Sequence, residues 1–125
     1  MIHGLGIDTV EVCRIAGMLD RLGDMFTRRV FTDEEMAYCE GMANRAQHYA
    51  CRMAAKEAFF KALGAPHPTG ISWRDISIGF QQGRSPAIAL GGKALEWANR
   101  LGITAMHLSL THTREQASAV VLLER

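Results

Sequence analysis

The chain has almost no excess charge of either sign. Its 14 Lys and Arg against 13 Asp and Glu leave a net charge of +1. That argues against a nucleic-acid binder, whose domain would be markedly basic. Cysteine is scarce too: Cys13, Cys39 and Cys51 are an odd set with no CxxC pair. Neither a disulfide framework nor a zinc site is expected, and a reducing cytoplasm is the expected setting. No apolar run approaches the roughly 20 residues of a membrane span, so no membrane partner is expected. The opening MIHGLGID lacks the basic and apolar regions of a secretory leader. There is no repeat or low-complexity segment, and the stretch Gly64-Ala65-Pro66-His67-Pro68-Thr69-Gly70 reads as a loop. What is present is an ordinary globular balance, 48% hydrophobic and 22% charged. Residues 1–125 are expected to form one domain around a single core.

YACRMAAKEAFFKALG, from Tyr49 to Gly64, reads as the central helix, rich in Ala, Met, Lys and Glu and closed by a C-cap glycine. Cys51, Ala54, Ala55, Ala58 and Ala62 share one side, whose small side chains would let a sheet or another helix approach closely. Before it, Ile2–Val10 reads as a strand whose glycines permit close backbone contact. Glu11–Leu22 reads as a helix with Ile15, Leu19 and Leu22 toward the core, and Thr32 with Glu35 forms a capping box opening a helix from Asp33 to Glu40. After it come a strand Ile71–Phe80, a turn Gln81–Pro86, a return strand Ala87–Leu90 and a helix from Gly91-Gly92 to Arg100. A last hairpin follows, Thr104–Leu110 and Gln116–Leu123 around a turn holding His112. This order indicates an α+β fold, with a mainly antiparallel sheet packed against the long central helix.

Charges interrupt the central helix in two groups. Arg45, Arg52 and Lys56 share a face over three turns, while Glu57 and Lys61 lie one turn apart on another. Spacing leaves two readings open. One is a Glu-to-Lys pair at i,i+4 beside a solvated basic edge. The other is a carboxylate beside a metal, a lysine beside a reacting group and a basic stripe along phosphates. Asp8 is either a cap for the next helix or a carboxylate held toward a cation. Arg14, Met18 and Arg21, at i, i+4 and i+7, form a stripe that is either solvated or a dock for an acidic amphipathic helix.

Four stretches in this order carry a resemblance across essentially the whole chain: GLGIDTVEVCRI, FTDEE, ACRMAAKEAFFKALG and HLSLTHTREQASAVVLLE. Together they resemble the holo-acyl-carrier-protein synthases, the small bacterial-type members of the 4′-phosphopantetheinyl transferase family. The resemblance implies that family's fold. It also implies Mg²⁺-dependent transfer of the phosphopantetheine arm of coenzyme A to a serine of apo acyl carrier protein in fatty acid biosynthesis. Asp8 and Glu57 match the family's metal ligands, for Mg²⁺ with Mn²⁺ as an alternative, and Lys61 joins them as a catalytic residue near the phosphate or the serine proton. Arg45, Arg52, Lys61, Gly64, Pro86 and His112 match positions that hold coenzyme A. Arg14, Met18 and Arg21 match the face that docks the carrier. Members of this size are usually homotrimers with active sites between subunits. The Ala65–Gly70 loop departs from the glycine-threonine-glycine-like continuation of many relatives. Two other readings stand beside the transferase: a non-catalytic module binding coenzyme A or carrier protein, and a Mg²⁺-dependent nucleotide or pyrophosphate hydrolase.

Overall fold

A computed structural model describes residues 1–65, 69–81 and 85–125. The elements run β1 (Ile2–Glu11), α1 (Val12–Leu22), α2 (Asp24–Val30), α3 (Asp33–Glu40), α4 (Arg45–Leu63), a 3₁₀ turn (Trp73–Asp75), β2 (Ile76–Gln81), β3 (Ser85–Leu90), α5 (Gly92–Arg100), β4 (Ala105–His112) and β5 (Gln116–Glu124). The fold is α+β and every strand pair is antiparallel, as expected. There are two sheets: β1-β5-β4, with the last strand in the middle, and the hairpin β2-β3. No helix among the described residues is long and apolar enough to cross a membrane.

α4 lies across the inner face of the larger sheet. Ala54, Ala55, Ala58 and Ala62 are buried there, against Ala117, Ala119, Val121 and Leu123 of β5. β1 comes closest of all. A Cβ on Gly6 would lie 1.9 Å from the Ala58 carbonyl oxygen, and one on Gly4 would lie 2.0 Å from that of Ala62. Only glycine on the strand and alanine on the helix allow that separation.

Several boundaries differ from the sequence reading. α4 begins at Arg45, because the Asn44 carbonyl already accepts from the Gln47 and His48 amides, at 3.1 and 3.3 Å. Its first turn is polar, so the apolar pattern starts only at Tyr49. The strand expected from Ile71 starts at Ile76. Ser72 Oγ accepts from the Arg74 amide and the Asp75 carboxylate accepts from the Ser72 amide, and this pair of caps winds Trp73–Asp75 into a 3₁₀ turn. β4 runs on to His112, which is a strand residue and not a turn residue. Leu22 is 43% exposed and does not join Ile15 and Leu19 in the core. The tip of the turn expected at Gln81–Pro86 and the centre of the Ala65–Gly70 loop lie outside the described residues.

Lys56 requires the largest correction. It is not part of a basic stripe but is fully buried, 2.7 Å from Glu35, whose side chain is also sealed from solvent. Its ammonium donates as well to the carbonyls of Val30 and Trp73, at 2.7 and 3.1 Å. Glu35 accepts from the amides of Thr32 and Ile78, at 2.8 and 2.9 Å. The expected Thr32 capping box therefore also serves as the seat of a buried ion pair. Burial pushes the Lys56 ammonium below its ordinary pKa, and Glu35 pulls it back. Removing one member strands the other charge. Lys56→Met is expected to cost about 3–5 kcal/mol, with Glu35→Gln recovering part of it in the double variant. Urea unfolding of the three proteins checks this.

Candidate active site

α4 carries charged groups on opposite faces, and each face meets different elements. On one face stand Glu57 and Lys61. Asp8, on the inner side of β1 with Gly4 and Gly6, reaches them because the two glycines let the strand lie against the helix. Lys61 Nζ donates to Asp8 Oδ1 and to the Ile7 carbonyl, both at 3.0 Å. The i,i+4 pair between Glu57 and Lys61 is not formed; Lys61 bonds across elements instead. Asp8 Oδ2 is buried and has no hydrogen-bond donor while Glu57 is ionised. Burial pushes the Glu57 carboxyl up to about 7, and the proton it shares with Asp8 and the charge of Asp8 push the same way. The charges of Arg14 and Lys61 oppose them.

A carboxyl whose ionisation is disfavoured, beside a carboxylate with an orphaned oxygen, fits a hard divalent cation. No cluster of three or more His, Cys, Asp and Glu converges among the described residues. The remaining ligands would be substrate and water oxygens, the arrangement magnesium prefers. Glu57 and Lys61 line a groove of about 560 Å³ together with Phe60, Thr69, Gly70, Ile71 and Trp73.

On the other face of α4, Arg52 is 2% exposed. Its guanidinium lies 4.4 Å from the Tyr38 ring centre and 5.7 Å from that of Phe80. One nitrogen donates to the His48 carbonyl, Nε has no partner, and no carboxylate pairs with it among the described residues. A buried cation left in this state is costly unless an anion arrives. The cleft it lines holds about 430 Å³, with His48, Ser85, Pro86 and His112 around it. Burial and the charges of Arg52 and His112 hold the His48 pKa below its ordinary value.

The structure thus brings Arg52, Pro86 and His112 together and keeps the other three candidates, Lys61, Arg45 and Gly64, apart from them. Arg45 is bonded to Glu40 at 3.0 Å and lines a separate cleft with Gln47 and Arg114. Gly64 is the left-handed C-cap of α4, with φ +64°, one turn past Lys61. Arg14 and Arg21 are exposed, while Met18 is half-buried against the core instead of standing free. Tyr38 and Phe80 carry no local sequence signal for this place, and His48 has no partner visible in sequence, since only the tertiary fold brings the three around Arg52. Met25, 76% exposed, and the exposed Arg28 and Arg29 extend the α1 face; their sequence signal was the adjacent arginine pair. Glu57 lies five residues past Arg52, about 140° round the helix at about 100° per residue. One chain therefore cannot turn both groups toward one small ligand.

Residues 4–120 match the family model of the 4′-phosphopantetheinyl transferase superfamily. The chain is 44% identical over 124 residues to the holo-[acyl-carrier-protein] synthase of Koribacter versatilis (strain Ellin345), covering 99% of each. The crystal structure of holo-[acyl-carrier-protein] synthase from Neisseria meningitidis superposes with a TM-score of 0.91 at 32% identity, over 100% of both chains. That of the Helicobacter pylori synthase in complex with coenzyme A gives 0.83 at 28%, over 96% of this chain and 99% of the other.

Glu57 holds its proton more tightly in the folded chain than in the unfolded one. Between its ordinary value of 4.5 and about 7 the folded state carries the extra proton. The contribution to stability is therefore full at low pH and lost as pH rises through about 7. Glu57→Gln is expected to remove this slope and to leave the metal-free variant more stable than its parent at about pH 8. The gain should be on the order of 1 kcal/mol, because solvent screens a half-buried group. Urea unfolding in chelator at about pH 5 and pH 8 measures it.

Proposed function

The chain belongs to the 4′-phosphopantetheinyl transferase superfamily, and from that membership and its geometry we propose that it acts as a holo-[acyl-carrier-protein] synthase. It moves the 4′-phosphopantetheine arm of coenzyme A to a serine of apo acyl carrier protein and releases adenosine 3′,5′-bisphosphate. The observation that carries this reading is the meeting of Asp8, Glu57 and Lys61 at the mouth of one groove. The buried, unpaired Arg52 supports it as a seat for phosphate, since a guanidinium fork donates to two oxygens at once.

In the reaction the serine oxygen forms a bond to the β-phosphorus, and the bond from that phosphorus to the bridging oxygen breaks. Bound between Asp8 and Glu57, Mg²⁺ (or Mn²⁺ in its place) would supply positive charge to the pyrophosphate. Lys61, held by Asp8 and the Ile7 carbonyl, acts as an ammonium donor toward phosphate oxygens and orients Asp8. The serine proton passes to Glu57, directly or through one water. The carrier docks on the face of Arg14, Met18 and Arg21, which continues through Leu22 and Met25 to Arg28 and Arg29 of α2. Exposed cations around apolar side chains suit an acidic amphipathic helix. The charge of Arg14 lowers the Glu57 pKa, which supports a docking face near the reacting groups. The acceptor we assign is the carrier of fatty acid synthesis, and the setting is the cytoplasm, in keeping with three unpaired cysteines.

We assign the active form to a homotrimer with composite sites. Leu5 and Ile7 of β1 are 63% and 62% exposed and Val120 of β5 is 37% exposed. Ile7 stands directly across from Val120, so the outer face of the sheet carries an apolar strip of the kind copies bury on association. Association would also bring the Arg52 cleft of one copy toward the Asp8–Glu57 pair of another.

Two measurements test the proposal. Incubation of an apo acyl carrier protein with this protein, coenzyme A and Mg²⁺ is expected to add one phosphopantetheine mass, and a chelator should abolish the gain. Release of adenosine bisphosphate without carrier modification would instead identify a hydrolase, and binding without either product a non-catalytic module. Light scattering is expected to give three times the chain mass, and Leu5→Asp with Ile7→Asp should yield monomers with transfer reduced at least about a hundredfold. A fully active monomer would overturn the composite site.

A further inference from the structure

α5 has no part in the chemistry described above, yet one of its side chains holds a wall of the groove. Trp97 Nε1 donates to the carbonyl oxygen of Thr69 at 2.9 Å. The Arg100 guanidinium covers the same ring, 4.7 Å from its centre. Beneath it Ala94 and Ala98 are buried, and the helix start is tied down by the Gly91 amide, which donates to the Asp75 carbonyl at 2.8 Å. The indole is therefore a firm post and not a loose surface group.

What it holds is the segment Thr69–Ile71, one side of the groove that opens at Glu57 and Lys61. Ile71 anchors the end of that segment against the core, and the rest of its order is local. Gly70 takes φ +75°, and the Ile71 amide donates to Thr69 Oγ1 at 3.1 Å. Among the described hydrogen bonds, the one from Trp97 is the segment's link to another element. The lining also holds Phe60 and Trp73, whose rings meet edge-on with centres 5.3 Å apart. Past Glu57 and Lys61 the described lining residues are aromatic rings, an isoleucine, a threonine and a glycine, with no further charge among them. Such a lining suits an uncharged, flexible chain with occasional amides and does not suit phosphate.

We infer that Trp97 is a positioning residue for the pantetheine arm of coenzyme A, its indole N–H setting the width of the groove that receives the arm. The inference rests on the transferase reading. The arm loses many rotatable bonds on binding, and a wall already in place lowers that cost. The nucleotide end is unaffected, because Arg52 and its cleft lie on the other side of α4.

Trp97→Phe keeps a ring beneath Arg100 and removes only the N–H. Loss of one hydrogen bond should raise KM for coenzyme A by about five- to tenfold. We expect kcat, KM for the carrier and the affinity for adenosine 3′,5′-bisphosphate, which lacks the arm, to stay within about twofold. Arg100→Ala, which removes the stacked cation and leaves the N–H, is expected to leave the ratio of coenzyme A to bisphosphate affinity unchanged. A merely structural role would move both ligands together along with the urea midpoint. Equal losses for both ligands, or no change in either, would overturn the inference while a parent protein that still transfers keeps the transferase reading intact. A parent that binds no coenzyme A would overturn both.

Discussion

The close contact of β1 with α4 is the constraint on which the rest of the molecule depends. Strand alternation puts Gly4, Gly6 and Asp8 on one side of β1. The hydrogens of the two glycines face the carbonyls of Ala62 and Ala58 where no methyl group would fit. The same approach carries the carboxylate of Asp8 to within 3.0 Å of Lys61 and beside Glu57. A wider strand-to-helix gap would leave Asp8 an isolated surface acid. Because β1 pairs with β5, which pairs with β4, the gap also sets the height of the whole sheet above the helix.

Three of the four cations of α4, those past its first turn, have roles separated by burial and partners rather than by residue type. Lys56 is sealed in and fully answered by Glu35 and two carbonyls, so it works for the fold. Arg52 is almost as deeply buried, but among the described residues its charge meets aromatic faces and one carbonyl and no carboxylate, which is why we propose it as a seat for an anion. Lys61 is more than half exposed and shares itself between Asp8 and the Ile7 carbonyl, which leaves it open to substrate.

Opposed faces on one helix have a consequence for assembly. On the proposed reading, a ligand that carries both a nucleotide and a pantetheine arm meets the Arg52 cleft and the Asp8–Glu57 groove, which one helix shows about 140° apart. Joining copies through the apolar strip of the sheet, as we propose, would let different copies supply the two.

Much of this was legible in the sequence. Periodicity marked the central helix and its small-residue face, the capping box marked the start of α3, and the order of elements marked an antiparallel α+β fold. The resemblance picked out Asp8, Glu57, Lys61 and Arg52, which local spacing could not separate from solvated charges. Tertiary structure alone decided the rest. Lys56 and Arg52 lie one turn apart in sequence, yet one pairs with Glu35 from α3 and the other lies against Tyr38 and Phe80 from distant elements. His112 moved from a turn to a strand end, and Arg45 went to Glu40 and away from Arg52. Each of these outcomes turns on contacts between residues far apart in the chain. Composition and local periodicity report how a segment folds on itself, whereas burial and charge pairing depend on which segments meet.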